Sequence, residues 1–198
     1  SYTGPLYRTT GPPYFTVPWT NIAVTQVGSM TLRFASATSA TLSYTFNGTT
    51  VNKSIQRQVF GSPVPECTMG TGTRSGESNY QDLWWNPNES GWGVNITHQG
   101  NTLFATLFTY TNSGRDGWLV ASGLARQADG SYSGPLYLTS GPPFNAQPWS
   151  SIAVSEVGTM GFRFTSGNSG TLTYSVLGTT VVKSIQRQVF GNTVPVCR

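Results

Sequence analysis

Residues 178–191 read GTTVVKSIQRQVFG, and residues 48–61 read GTTVNKSIQRQVFG. The stretch alternates in the manner of a strand with one buried face. If Val181, Ile185 and Val189 point inward, a period of two puts Lys183 and Arg187 on that same face. The opposite face carries Val182, Ser184, Gln186 and Gln188, and the first copy has Asn52 in place of Val182, which suits water. An inward guanidinium needs acceptors, because an unpaired buried charge costs several kcal/mol. Glu89, Asp82 and Glu156 are the candidate partners of Arg187, with Glu89 preferred, beside tyrosine oxygens and backbone carbonyls; the alternative is that both cations lie at the barrel rim in solvent.

Outward from this stretch the duplication continues. SYTGPLYRTTGPPY (1–14) matches SYSGPLYLTSGPPF (131–144), and NIAVTQVGSMTLRF (21–34) matches SIAVSEVGTMGFRF (151–164), always at an offset of 130. Residues 68–130 occur once, so the chain runs C-half, N-half, C-half. The expected organisation is the C-terminal half of a unit at 1–66 and a complete unit at 67–198, with an N-half 67–130 and a C-half 131–198. Because 68–130 has no counterpart before Ser1, the first copy is expected to start in mid-unit.

Within 67–198 the strand signals fall at 91–99, 102–110, 118–125, 131–139, 151–158, 159–165, 171–177 and 179–190, mostly joined by short Gly/Asn/Asp turns. Short sequential connections imply antiparallel neighbours. The expected fold is all-β, an antiparallel up-and-down meander closing into an eight-stranded barrel, plus a five-stranded half-unit. Such a half-unit exposes an apolar face and unpaired edges, which another segment or another copy must cover.

Composition agrees with this class: 13% aromatic and only 9% charged residues, with 23 Gly and 12 Pro as punctuation. The net charge of +4 comes from scattered cations rather than a basic run, so no nucleic-acid partner is expected. No run approaches the roughly 18 apolar residues of a membrane span, and no membrane insertion is expected. Cys67 and Cys197 lie at the ends of the complete unit, where closure brings the termini together. A disulfide between them is expected, worth about 4 to 5 kcal/mol in the chain-entropy model, and it favours an oxidising compartment.

Candidate chemistry is sparse. His98 is the single histidine, no nucleophile elbow accompanies it, and the scattered acids show no metal-ligand spacing. No catalytic residue, metal or cofactor is expected. The aromatics are more informative. DLWWNPNESGWG (82–93) holds three of the six tryptophans. Trp84, Trp85 and Trp92 with Glu89 are read as a ligand-binding rim, and Trp149 as a second platform, since flat apolar rings beside polar groups suit sugars; the alternative is that these rings fill the interior of a small barrel or plug its end.

The motifs LWWNPNESGWGVN, LFATLFTY, WLV and KSIQRQVF, with the terminal Cys197, resemble a tandem-repeat module of secreted and surface proteins of Gram-negative proteobacteria. The resemblance spans 67–198 and, by repetition, 1–66. It implies an extracytoplasmic β module, often in several copies, and brings no established activity. The expected role is a secreted or cell-surface, non-enzymatic binding or adhesion module. Its expected partner is an extracellular glycan, bound weakly by each repeat and more strongly by several. The alternatives are a structural protein whose half-unit docks onto a complementary half or another copy, and a barrel carrying a small ligand.

Overall fold

A computed structural model describes all 198 residues. The chain forms fourteen strands and no helix: β1 (Tyr2–Thr10), β2 (Ala23–Phe34), β3 (Ser39–Phe46), β4 (Thr49–Gln56), β5 (Cys67–Gly70), β6 (Asp82–Trp85), β7 (Gly93–Gln99), β8 (Thr102–Tyr110), β9 (Asp116–Arg126), β10 (Tyr132–Ser140), β11 (Ala153–Ser166), β12 (Ser169–Val176), β13 (Thr179–Arg187) and β14 (Val194–Cys197). Strands β6 to β13 form a closed antiparallel barrel in sequence order, with β13 returning to β6. Strands β1 to β4 form an open sheet, and β14 pairs with β5.

The barrel has the expected eight strands, but not the same eight. The two strands expected at 151–158 and 159–165 are one continuous β11, and DLWW, not foreseen as a strand, supplies β6. Gly158 explains the first difference. A Cβ there would lie 1.9 Å from the Ser175 carbonyl oxygen, so the glycine permits close approach of β12 rather than a turn. Gly28 stands at the same position in the first copy, where a Cβ would meet the Thr45 carbonyl oxygen. The half-unit accordingly has four strands, not five.

Turn chemistry sets the hairpins. Asn47 and Gly48 between β3 and β4 both take positive φ, 46° and 82°, the type I′ pattern of a two-residue hairpin. Leu177 and Gly178 repeat it between β12 and β13 at 48° and 86°, although leucine has no intrinsic liking for that region. Register is duplicated as well: Tyr2 faces Leu32 as Tyr132 faces Phe162, and both copies shift register after Leu6 or Leu136.

Alternation fills the barrel. Leu103, Ala105 and Leu107 of β8, and Leu172, Tyr174 and Val176 of β12, point inward with Trp84, Ile96, Phe162 and Ile185, in one cluster of 19 buried residues. Large side chains thus occupy the interior that a ligand carrier would need to keep open. Cys67 and Cys197 are bonded across 130 residues, with β5 and β14 paired beside them.

Candidate functional site

Strand β13 carries the buried charges. Its alternation buries Val181, Lys183, Ile185 and Arg187 and leaves Val182, Ser184 and Gln186 exposed. The partners differ from the expected pair. Arg187 does not meet Glu89: its Nη1 lies 3.1 Å from Asp82 Oδ2, and Glu89 Oε2 instead lies 2.8 Å from Lys183 Nζ. Register is the reason. Arg187 is paired with Trp84 across the β13–β6 seam, so Asp82, two residues back on the same inward face of β6, comes level with the guanidinium. Glu89 lies beyond the turn after β6 and reaches Lys183, four residues earlier on β13.

Lys183 adds to its Glu89 partner the rings of Trp19 and Trp92, and Arg187 has several acceptors. Arg187 also donates to the carbonyls of Gln81, at 3.0 Å, and of Gly167 and Asn79, and lies 4.9 Å from the Trp84 ring centroid. Burial pulls its pKa below the ordinary arginine value, against the opposing hydrogen bond to Asp82. Asp82 also accepts from Arg74, which is 4% exposed. Arg74 was not singled out in the sequence, where it sits in a polar Thr/Ser/Gly segment with no periodic pattern to place it.

The tryptophans separate into two groups. Trp84 is fully buried and donates from Nε1 to the Tyr80 carbonyl, and Trp92 is 5% exposed and donates to Glu89. Both are core, so neither forms part of a ligand-binding rim; their inward position on a small barrel fills its interior. Trp85 is half-buried. Trp149 is 56% exposed and lies 4.9 Å from Lys53 Nζ, against the open sheet rather than beside the other three. Trp118 is 55% exposed and lines a cleft of about 400 Å³ with Tyr110, Leu138, Asn112 and Ser113.

His98 is 5% exposed. Its Nδ1 accepts from the Tyr80 amide at 3.1 Å, which assigns the proton to Nε2, 2.9 Å from the Gly100 carbonyl and 3.3 Å from the Tyr132 hydroxyl. Burial lowers its pKa, partly opposed by the Gly100 hydrogen bond. The ring is stacked on Tyr80 and bonded on both nitrogens, which is a framework position.

The two Pro-rich loops make the most distinctive arrangement. Loop 11–20 of the first copy covers the barrel mouth of the second, and loop 141–149 of the second copy lies on the open sheet of the first. Tyr174 donates to the Tyr14 carbonyl at 3.3 Å, and its counterpart Tyr44 donates to the Phe144 carbonyl at 3.4 Å. Trp19 lies 5.2 Å from Lys183 Nζ, just as Trp149 lies over Lys53. Every member of one pair sits 130 residues from its counterpart in the other, so the contacts are related by an approximate two-fold, the same patch used from both sides. Trp19 also donates to the Ser90 carbonyl, and Gly11 to the Gly114 carbonyl.

No family model, curated protein or solved structure matches the chain.

A further tie holds the copies together. Gln99 accepts from the amides of Phe60 and Gly61 and donates to the Gln58 carbonyl, fastening the segment after β4 to the end of β7. Sequence reasoning missed it, since a glutamine beside a Gly-Asn turn carries no signal of its distant partner.

Proposed function

We propose that the protein is a non-enzymatic structural module that locks successive barrel units together outside the cytoplasm. The observation that carries the reading is the reciprocal loop exchange, in which each copy places an aromatic and a tryptophan from its Pro-rich loop on the other. A joint built from equivalent contacts on both sides repeats naturally along an array. The Cys67–Cys197 disulfide supports an oxidising compartment, and the sparse charge supports a packing role over a catalytic one.

Hydrogen exchange on the full chain tests the lock. Trp149→Ala and Phe144→Ala should speed amide exchange in β3 and β4 while leaving β8 and β12 unchanged. Equal protection in wild type and both variants sinks the reading.

A second reading, binding of an extracellular glycan, is favoured by the Trp118 cleft, where a flat exposed ring adjoins Asn112 and Ser113. Affinity electrophoresis in polysaccharide gels decides it. Retardation of wild type that is lost in Trp118→Ala, or in Trp85→Ala for the originally expected rim, supports binding; equal mobility removes it.

A further inference from the structure

The sheet β1–β4 presents a face that in the second copy is core and that here is covered only in part, by loop 141–149 against Tyr44, Phe46 and Lys53. Tyr2 is 72% exposed where Tyr132 is 3%, and Arg57 is exposed where Arg187 is 7%. In the barrel this face is covered by β6–β9, which pair with both edges of β10–β13. In the first copy β4 has no outer neighbour, and β1 meets the barrel through the single bridge Thr10–Arg115 and the Arg8–Asp116 ion pair.

Charge decides what fits. Residues 1–65 contain no Asp or Glu, while Lys53 of β4 and Arg57 just beyond its end stand where Lys183 and Arg187 stand in the second copy. Two open sheets from two copies could close eight strands, but the interior would then hold four cations and no carboxylate, an arrangement too costly to form. The N-half of a second copy is already used by its own C-half, so exchange would open one face for each it closed.

We propose that the open face takes up a polypeptide segment with the chemistry of an N-half: antiparallel strands patterned like 79–126. Its first strand adds to β4, and two carboxylates seven residues apart reach Arg57 and Lys53 as Asp82 and Glu89 reach Arg187 and Lys183. The inference rests on the structural-module reading. The site is preorganised for this partner. Trp149 already lies over Lys53 as Trp19 lies over Lys183, and Tyr44 already holds Phe144. What the second copy has and the first lacks is the carboxylate pair and the four covering strands. Addition of strands at a sheet edge supplies main-chain hydrogen bonds, and the charge pattern supplies selectivity.

The test titrates a fluorescein-labelled synthetic peptide of residues 77–126 into the full chain, followed by anisotropy and by hydrogen exchange over β1 to β4. The expected result is saturable binding of one peptide per chain, with slowed exchange in β1 and β4. A peptide carrying Asp82→Asn and Glu89→Gln should bind about ten-fold more weakly or worse, a loss of about 1.4 kcal/mol. The same weakening is expected for wild-type peptide on a Lys53→Met, Arg57→Met chain. Absence of binding, binding indifferent to these charges, or a chain that dimerises alone with β1–β4 protected overturns the proposal. Should the peptide aggregate, residues 68–130 placed directly before Ser1 give the same test in one chain. Exchange in β1–β4 should then fall to the rates of β10–β13, and unchanged rates overturn the inference. The Trp149→Ala experiment reads the loop lock in the chain without peptide, so failure of one idea is distinguishable from failure of the other.

Discussion

Replacing Asp82 by Asn removes the one carboxylate that two buried guanidiniums share. The side chains of Arg74 and Arg187 are 4% and 3% exposed, and Asp82 is their only ion-pair partner. Removing one member of a buried pair costs about 3 to 5 kcal/mol, because the remaining charge stays buried without compensation. Arg187 keeps three backbone carbonyls as acceptors, and an asparagine oxygen still accepts, so the lower end of about 3 kcal/mol applies. For a chain of this size that corresponds to a melting point lower by about 6 to 12 °C. Urea unfolding followed by tryptophan fluorescence is the assay, since Trp84 stacks on Arg187. The internal control is unusually close. Arg57 lies in an identical local sequence but is exposed, so Arg57→Met should stay within about 0.5 kcal/mol of wild type, as surface changes do, whereas Arg187→Met should not. A cost below about 1 kcal/mol for Asp82→Asn, or equal costs for the two arginine variants, would refute the argument that closure of the barrel turns the same side chain from a surface group into a buried one.

Replacing both Cys67 and Cys197 by Ser should lower stability by up to about 5 kcal/mol in the chain-entropy model; calorimetry of oxidised and substituted protein measures it, and an unchanged melting point contradicts it. Trp84→Ala should cost about 3 to 5 kcal/mol by opening a cavity in the filled barrel, while Trp118→Ala should change stability by less than about 0.5 kcal/mol; similar urea midpoints for the two would overturn the division into core and surface rings. Gly158→Ala should cost more than about 2 kcal/mol, since its Cβ meets the Ser175 carbonyl and forces β11 from β12; wild-type stability would refute that close approach. His98, held below its ordinary value of about 6.5 by burial, takes up a proton more readily in the unfolded chain. Its contribution is therefore complete above about pH 6.5 and declines as the pH falls through that value toward the lower folded one. Urea midpoints should fall over that window, and His98→Asn should flatten this part of the slope.

Much of the fold was legible because its determinants are local. The inward positions Val181, Lys183, Ile185 and Arg187 of β13 followed from a period of two, though Val189, expected inward, lies beyond the strand and is exposed, and the Gly100-Asn101 turn followed from a glycine that accepts positive φ. Two strand boundaries were not legible. Gly158 carries the same letter whether it makes a turn or admits a neighbouring backbone, and DLWW is too short to show a period before β13 pairs with it. The site was legible only in part. The sequence named Lys183 and Arg187 as inward cations and Asp82 and Glu89 as available acids, but preferred the wrong match for Arg187. It left Trp84 and Trp92 open between a ligand rim and a filled interior, and their burial decides for the interior.

By itself the sequence determined the duplication, the strand period, the disulfide's position and the absence of acid from residues 1–65, all properties of residues near one another or simply counted. Tertiary structure decided which carboxylate meets which cation, which tryptophans are core, and that each copy's Pro-rich loop rests on the other. Those outcomes depend on barrel closure and on contacts between segments as much as 160 residues and more apart. A shift of one residue at the β13–β6 seam would turn Asp82 and Trp84 away from Arg187 to the other face.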